Sequence, residues 1–357
     1  MPTTPSDRTS LADTPWPSAD LETLNHCPVC QSTERSLRYA NVTDKLFGCA
    51  PGHWQLFTCC ACLSAYMDPR PTPASMGRAY SRYFTHQDGA APTQASGLRG
   101  WIKSALNGFR KNRWRMSLHP ASTLGGQMVG AIAPLRELII AHMRNLPTQP
   151  PREGARLLDV GCGNGIYLDL AKQAGWQVTG VDFDSQAVAS AQARGLDVRL
   201  GGLEQVQELA GSIDRVTCSH VIEHVHHPRE WIQRMHAMLR PGGSLWLQTP
   251  NVDALGHQRF GAAWLGLDPP RHLSLMPPRT LVNLIQTCGF AAQELPLPAL
   301  MALSVYQDSA SMAVGNPQIG ARLSWRSFCR PAWLKEAWQQ SCDLPHAEFI
   351  TIEATKV

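Results

Sequence analysis

The stretch Arg156-Leu-Leu-Asp-Val-Gly-Cys-Gly-Asn-Gly165 decides the fold. Leu157 to Val160 is an apolar run of strand length, and Gly161, Gly163 and Gly165 punctuate the turn after it. Ile166 to Ala174 then repeats apolar residues at helical spacing. A strand, a glycine turn and a helix start, in that order, build a ligand site at the edge of a parallel sheet. Glycine is needed there because it accepts backbone angles closed to other residues and lets the main chain approach a ligand without a Cβ in the way.

The spacing of the turn narrows the ligand. A dinucleotide fingerprint reads G-x-G-x-x-G and aims a helix N-terminus at a pyrophosphate. Here the spacing is G-x-G-x-G, Ile166 stands where the third glycine would be, and Asp159 lies just before the turn. A carboxylate at that place repels phosphate and suits a cation. Val178-Thr-Gly-Val-Asp182 reads as a second short strand ending in an acid, placed to accept hydrogen bonds from both hydroxyls of a ribose. A ligand with an adenosine ribose, a positive charge and no phosphate is S-adenosylmethionine. The expected cofactor residues are Asp159, Gly161, Cys162, Gly163, Asp182, Phe183, Gly202 and Ser219. Phe183 is expected on the adenine face, Gly202 along the adenine edge, and Ser219 beneath the methionine portion.

Residues 155–297 resemble a class I S-adenosylmethionine-dependent methyltransferase, of the subgroup with a zinc ribbon in front. The resemblance rests on Leu157-Leu-Asp-Val-Gly-Cys-Gly-Asn-Gly165, Gly180-Val-Asp182, Val221-Ile-Glu-His-Val225, Leu239-Arg-Pro-Gly-Gly243, Thr249-Pro-Asn251 and Pro269-Pro-Arg-His-Leu273. It implies an α/β fold: a doubly wound, Rossmann-like, seven-stranded methyltransferase sheet with an N-terminal zinc ribbon and a helical linker. It also implies that the last two strands pair, 291–297 with 347–355. Strands are expected near 156–160, 177–182, 196–200, 213–219 and 243–249, and helices near 165–175, 185–194, 228–239 and 279–288. Arg240-Pro-Gly-Gly243 is expected to stop the helix before the fifth strand.

At 357 residues there is room for a large α/β domain and a smaller module. Four segments are expected: a disordered tail over 1–24, a zinc-ribbon module over 25–75, a helical linker or cap over 76–150, and the methyltransferase domain over 151–357. Within the last, 298–346 is expected as an insertion that caps the acceptor site. A hydrophobic fraction of 43% and a charged fraction of 17% are ordinary for a globular chain, and a formal charge of +4 does not by itself argue for nucleic acid. Eleven cysteines, several in apolar strands, fit a reducing compartment better than a disulfide scaffold. No apolar run approaches the ~18–20 residues of a membrane helix. A cytoplasmic location is expected.

Cys27-Pro-Val-Cys30 and Cys59-Cys-Ala-Cys62 supply the ligand spacing of a four-thiolate zinc ribbon. The expected structural Zn2+ ligands are Cys27, Cys30, Cys59 and Cys62, with Cys60 a bystander and Cys49 and His53 as near alternatives. The family usually has glycine after each knuckle; this chain has Gln31 and Leu63. Between Asp88 and Glu137 there is no acid, while Arg99, Lys103, Arg110, Lys111, Arg113 and Arg115 cluster among Trp101, Phe109 and Trp114. The plain reading is a solvated basic helix face with its aromatic side packed down; the alternatives are an anionic acceptor, a nucleic acid or a membrane surface.

Two histidines stand as catalytic candidates for deprotonating an acceptor hydroxyl: His224, past the fourth strand, and His272, on the loop after the fifth. A structural role for His224 is the competing reading. Similarity to quinone-type O-methyltransferases implies that Glu223 with His224 can hold a divalent metal. Arg271 is a candidate anchor for an anionic substrate. The function expected is methyl transfer from S-adenosylmethionine to a small-molecule acceptor, a sugar or another hydroxylated metabolite. The alternative is an RNA-modifying methyltransferase that grips nucleic acid with the ribbon and the basic 99–115 segment.

Overall fold

The structure is a computed structural model, and it describes residues 13–80, 97–148, 151–317, 323–324, 327 and 329–357. Most of the expected tail (residues 1–12), Asp88 and parts of the 298–346 segment lie outside the described residues.

In chain order the strands are β1 (Leu21–Glu22), β2 (Arg35–Val42), β3 (Trp54–Cys59), β4 (Ala65–Met67) and β5 (Arg70–Pro71). Helices α1 (Gly97–Trp114), α2 (Thr123–Ala131) and α3 (Ala133–His142) follow. Then come β6 (Arg156–Val160), α4 (Ile166–Gln173), β7 (Gln177–Asp182), α5 (Ser185–Ala193), β8 (Asp197–Leu200), β9 (Ile213–Ser219), α6 (Pro228–Met238) and β10 (Leu239–Pro250). The remainder is α7 (Leu255–Phe260), β11 (Ser274–Leu275), α8 (Pro278–Thr287), β12 (Phe290–Leu295), α9 (Ala299–Ala313), α10 (Pro331–Cys342) and β13 (Phe349–Lys356).

Seven strands form one sheet in the order β12-β13-β10-β9-β6-β7-β8. The pairs β6–β7, β6–β9 and β7–β8 are parallel. The order reverses at β6, the kind of position where open α/β sheets place their ligand crevice. β12 and β13 are neighbours, as the resemblance implies. The helix α6 ends at Met238, just before Arg240-Pro-Gly-Gly243, where Gly242 takes φ of 71° within the start of β10.

The chain divides into two compact units. One comprises Met1–Tyr83, Ser219–Gln233 and Leu247–Ala354. Its second sheet has the order β11-β4-β3-β2, so the cysteine-bearing strands do not close on themselves: β4 pairs antiparallel with β11, Ala65 opposite Leu275. A shared core of Trp54, Leu56, Met67, Val252, Trp264 and Leu275 lies with this sheet. Trp16 joins that core edge-on to Trp54, the rings 5.4 Å apart. Residues 13–24 are therefore not the disordered segment that composition suggests; Trp16 anchors them and Ser18–Asp20 forms a helical turn.

The other unit comprises Phe84–Cys218, Arg234–Trp246 and Thr355–Val357. Its core runs from Phe109, Trp114 and Met143 through Leu157, Tyr167 and Leu168 to Val188 and Leu196. Helices α1 and α2 touch backbone to backbone. A Cβ on Gly126 would stand 2.4 Å from the carbonyl carbon of Gly108, and one on Gly108 would stand 1.9 Å from the carbonyl oxygen of Ser122. Only glycine permits that approach.

Candidate functional site

The turn after β6 is built as its glycines require. Gly161, Gly163 and Gly165 have φ of 70°, 53° and 78°, a region that residues with a Cβ enter at a cost. The amides of Gly161 and Cys162 both donate to the carbonyl of Val181, at 2.9 and 3.2 Å, which folds the turn over the end of β7. Gly165 begins α4, and a Cβ there would meet Leu196 at 2.5 Å. Gly163 differs: nothing lies within 4 Å of where its Cβ would be, so its main chain borders open space.

Asp182 at the end of β7 faces this turn. One carboxylate oxygen accepts the Gly163 amide at 2.7 Å and the other accepts the Asp184 amide at 2.9 Å. The Phe183 amide also bonds to this carboxylate, which keeps part of its acceptor capacity for another donor. Burial raises the carboxyl of Asp182, against the pull of those amides. The neighbouring Phe183 ring is 69% exposed, and its tip lies 3.2 Å from where a Cβ on Gly202 would be. The unit that holds β6 and β7 thus brings Gly161, Gly163, Asp182, Phe183 and Gly202 into one cradle. The thiol of Cys162 is buried and pushed up by that burial, so this residue offers its backbone rather than its sulfur.

Asp159 departs from expectation. Its side chain is fully buried, and the cation it meets is Arg144, which donates to the same oxygen that accepts the Thr217 hydroxyl at 2.8 Å. Burial pushes this carboxyl up to about 6, although Arg144 and Thr217 favour its charged form. Arg144 itself has φ of 47° and stacks 4.1 Å over the Tyr167 ring. The acid beneath the turn fixes the scaffold; no sequence pattern signals Arg144, because its role arises only from a chain reversal after α3.

In the unit that contains Ser219–Gln233 and Leu247–Ala354, Ser219 ends β9 half-buried, and the chain then turns sharply. His220 adopts φ of 54°, an uncommon conformation for a residue with a Cβ, with its amide bonded to the Gln248 carbonyl at 2.8 Å. Glu223 lies fully buried two residues after Val221 and accepts the Thr249 hydroxyl at 2.9 Å. Its other oxygen is 3.3 Å from Nδ1 of His220 and 4.0 Å from Nε2 of His272. Burial would raise the Glu223 carboxyl, but the His220 hydrogen bond and the fields of His224 and His272 bring it down to about 2.

His224 places Nδ1 3.0 Å from the Arg271 carbonyl and 3.1 Å from the Tyr80 hydroxyl. His272 donates from Nδ1 to the Gly266 carbonyl at 2.8 Å, leaving Nε2 as an acceptor. The two imidazoles meet edge to face at 4.7 Å. Burial first, and then His272, holds His224 down at about 4, so it is neutral at physiological pH. Ligand atoms of Glu223, His224 and His272 lie within 4.8 Å of one another, a grouping that also suits a cation. His220, 39% exposed, is the member of this cluster that the sequence did not single out as a catalytic candidate. The signal was its place at the end of a strand, three residues before Glu223.

Arg271 is not a substrate anchor. Its guanidinium is fully buried and bonded to Asp44 at 2.6 and 3.1 Å, to Asp268 at 2.6 and 2.9 Å, and to the Ala79 carbonyl at 2.9 Å. No donor remains for a ligand.

The sulfurs of Cys27, Cys30, Cys59 and Cys62 converge within 4.8 Å. Cys60 is exposed and outside the group, Cys49 contacts the Ala79 carbonyl at 3.5 Å instead, and His53 bonds to Asn41 and Asp13. The two knuckles repeat one backbone pattern. Gln31 and Leu63 donate to the carbonyls of Cys27 and Cys59 at 2.9 and 3.0 Å, while the Cys27 and Cys59 amides donate to Ser32 and Ser64 at 2.8 and 2.9 Å. Gln31 and Leu63 sit at φ of 68° and 61°, so the turn keeps its glycine-type geometry without glycine. Sharing a hydrogen bond with Cys27 lowers the Cys62 thiol to about 4 and raises that of Cys27.

Residues 134–295 match the family model described as a methyltransferase domain. This part of the chain is similar to that methyltransferase family. The ubiquinone biosynthesis O-methyltransferase of Xanthomonas euvesicatoria pv. vesicatoria is 36% identical over 129 residues, covering 34% of this chain and 54% of that protein. Its counterpart in Xanthomonas campestris pv. campestris is 35% identical over 147 residues, covering 39% of this chain and 57% of that protein. The chain therefore spans about half the length of the curated relatives it matches. A SAM dependent methyltransferase from Archaeoglobus fulgidus superposes with a TM-score of 0.43 at 20% identity, over 62% of this chain and 94% of that one.

Two buried imidazoles set an acid limit on stability. His257 donates from one nitrogen to the Val252 carbonyl at 2.7 Å, stacks on Trp264, and is held down at about 4 by burial, as His224 is. Their folded values lie below the ordinary 6.5, so the stability they contribute is complete above 6.5 and is lost as pH falls toward about 4. Urea midpoints measured from pH 7 down to pH 4 should decline through this window, and the decline should be shallower in His257→Gln. An identical slope in that variant would show that His257 does not fold neutral.

Proposed function

We propose that the chain is an S-adenosylmethionine-dependent O-methyltransferase acting on a small hydroxylated molecule. The observation that carries this reading is the open face of Gly163 beside Asp182, a carboxylate that keeps acceptor capacity beyond its backbone hydrogen bonds. That pairing suits a ribose with both hydroxyls free, and the exposed Phe183 ring beside Gly202 suits a purine face. The relatives named as O-methyltransferases favour oxygen as the acceptor atom. Nothing in the site singles out a sugar.

When bound, S-adenosylmethionine supplies an activated methyl on a sulfonium, which departs as a neutral thioether. The protein's part is then to hold both partners and accept the hydroxyl proton. Asp182 would accept the ribose hydroxyls, Phe183 would pack on the base, and the open main chain at Gly163 would border the ligand. Asp159, paired with Arg144, supports the turn from below. We assign the proton acceptor to the histidine cluster, with Nε2 of His220 taking the proton. The Glu223 carboxylate, 3.3 Å from Nδ1 of His220, orients that ring. His272 and His224 hold the Glu223 charge in place and stand as the further catalytic candidates.

The four thiols are proposed to hold a structural zinc ion. Four sulfurs on two mirrored knuckles leave no coordination position for a substrate, and a divalent ion binds all four as thiolates. Plasma emission analysis of the purified chain should find one zinc per molecule, with Cys59→Ser losing it together with thermal stability. Retention of full zinc by that variant would remove Cys59 from the ligand set.

Calorimetric titration tests the cofactor. S-adenosylmethionine and S-adenosylhomocysteine should bind and NAD should not, and Asp182→Ala should weaken binding at least about tenfold, as expected for losing hydrogen bonds to a charged group. Binding of NAD alone would overturn the reading. With a hydroxylated acceptor found by screening, His220→Asn should lower kcat by about 100-fold or more while leaving cofactor affinity unchanged. An unchanged kcat would move the proton acceptor to His272.

A further inference from the structure

The 99–115 segment meets the plain reading only in part. Helix α1 carries an apolar stripe at Leu98, Trp101, Ile102, Ala105 and Phe109, the spacing of one helical face. From Ala105 onward this stripe is buried on α2, where Gly125 and Gly126 admit the close approach. Before Ala105 the same stripe runs on into solvent. Leu98 is 73% exposed, Trp101 52% and Ile102 44%.

A cationic stripe borders it. Arg99 and Lys103 are exposed one turn apart, and Arg110 and Arg113 continue the same side of the helix half-buried. None of these four, nor Lys111 or Arg115, forms an ion pair with a described acid, and the Nε atoms of Arg110 and Arg113 have no hydrogen-bond partner among the described residues. The sequence holds no acid from residue 89 to residue 136, so the segment cannot neutralise itself locally.

We propose that the first turns of α1 dock on an anionic bilayer surface, with Leu98, Trp101 and Ile102 entering the headgroup–acyl boundary and Arg99 and Lys103 meeting lipid phosphates. Charge complementarity selects this partner together with the aliphatic side chains. A nucleic acid would use the cations and the indole but gains nothing from an exposed Leu98 and Ile102, whereas a bilayer uses all of them. Tryptophan at the edge of an apolar stripe suits the bilayer interface for the same reason. No single described helix is long and apolar enough to cross a membrane; the bent pair α2 and α3 together reaches that length and apolarity. The inference uses no residue of the proposed cofactor site and stands independently of the methyltransferase reading.

The test is flotation of the full-length chain with vesicles of phosphatidylcholine alone and of phosphatidylcholine mixed with phosphatidylglycerol. The chain should float with the mixed vesicles, less so as salt is raised, and not with phosphatidylcholine alone. Arg99→Glu with Lys103→Glu should lower partitioning at least about tenfold, since each cation near an anionic surface is worth about fivefold. Trp101→Glu should lower it comparably, and Trp101→Phe should retain most of it. Calorimetric affinity for S-adenosylmethionine and the thermal midpoint, unchanged in these variants, show that they remain folded. No flotation, or flotation indifferent to the variants, overturns the proposal. So does binding of single-stranded RNA without flotation, lost in the Arg99 and Lys103 variant. A change of molecular mass by Trp101→Glu without any vesicle binding overturns it as well, by assigning the face to a second copy of this chain.

Discussion

The unit that holds the histidines depends on one buried cation. Arg271 has five N–H donors and no water, and each must find an acceptor. Asp44, from the segment between β2 and β3, and Asp268, from the loop after β10, supply two carboxylates, and Ala79 supplies a carbonyl. A fully desolvated guanidinium between two carboxylates raises its own affinity for the proton and holds the Asp44 carboxyl low. Such clusters contribute more to geometry than to net stability, because desolvation offsets much of the attraction. The geometry here is specific. The carbonyl of Arg271 receives the His224 proton, and the next residue is His272.

A second buried ion pair plays the corresponding part under the glycine turn. Asp159 and Arg144 meet out of water, with Thr217 bonded to the same carboxylate. The ligand-facing work then falls to groups that keep unused capacity: the Asp182 carboxylate and the open main chain at Gly163. In both units a buried charge pair positions a neighbouring group that keeps spare hydrogen-bonding capacity. That division suits methyl transfer, where alignment and one well-held base supply much of the rate and strong electrostatic stabilisation of a charged intermediate is not required.

The cysteine strands follow the same logic at a smaller scale. Their knuckle turns hold Gln31 and Leu63 in a conformation that ordinarily belongs to glycine, so the paired amide bonds at each knuckle outweigh the strain. The sheet that carries them takes β11 as its edge strand, and the Thr280 hydroxyl donates to the Cys62 carbonyl at 2.7 Å. A ribbon integrated in this way stiffens the segment that also carries Asp44 and Tyr80, two residues that meet Arg271 and His224.

Local chemistry was enough to read much of this from the sequence. The glycine turn, the acid ending β7, the strand–helix alternation and the paired C-x-x-C knuckles each depend on residues close together in the chain, where spacing dictates backbone shape. The choice of Cys59 over Cys60 followed from the same spacing. What depended on distant residues was not legible. Arg144 reaches Asp159 only once α3 has reversed the chain; Arg271 looked like a ligand anchor until Asp44 closed on it; and His220 became part of a histidine–carboxylate pair through a left-handed turn that its neighbours do not announce. The exposed start of α1 was hidden for the same reason, since a helical stripe shows which face is apolar but not where its partner ends. Periodicity and spacing are properties of the chain, whereas the pairing of a buried charge and the exposure of an apolar face are decided by which distant segment arrives to cover them.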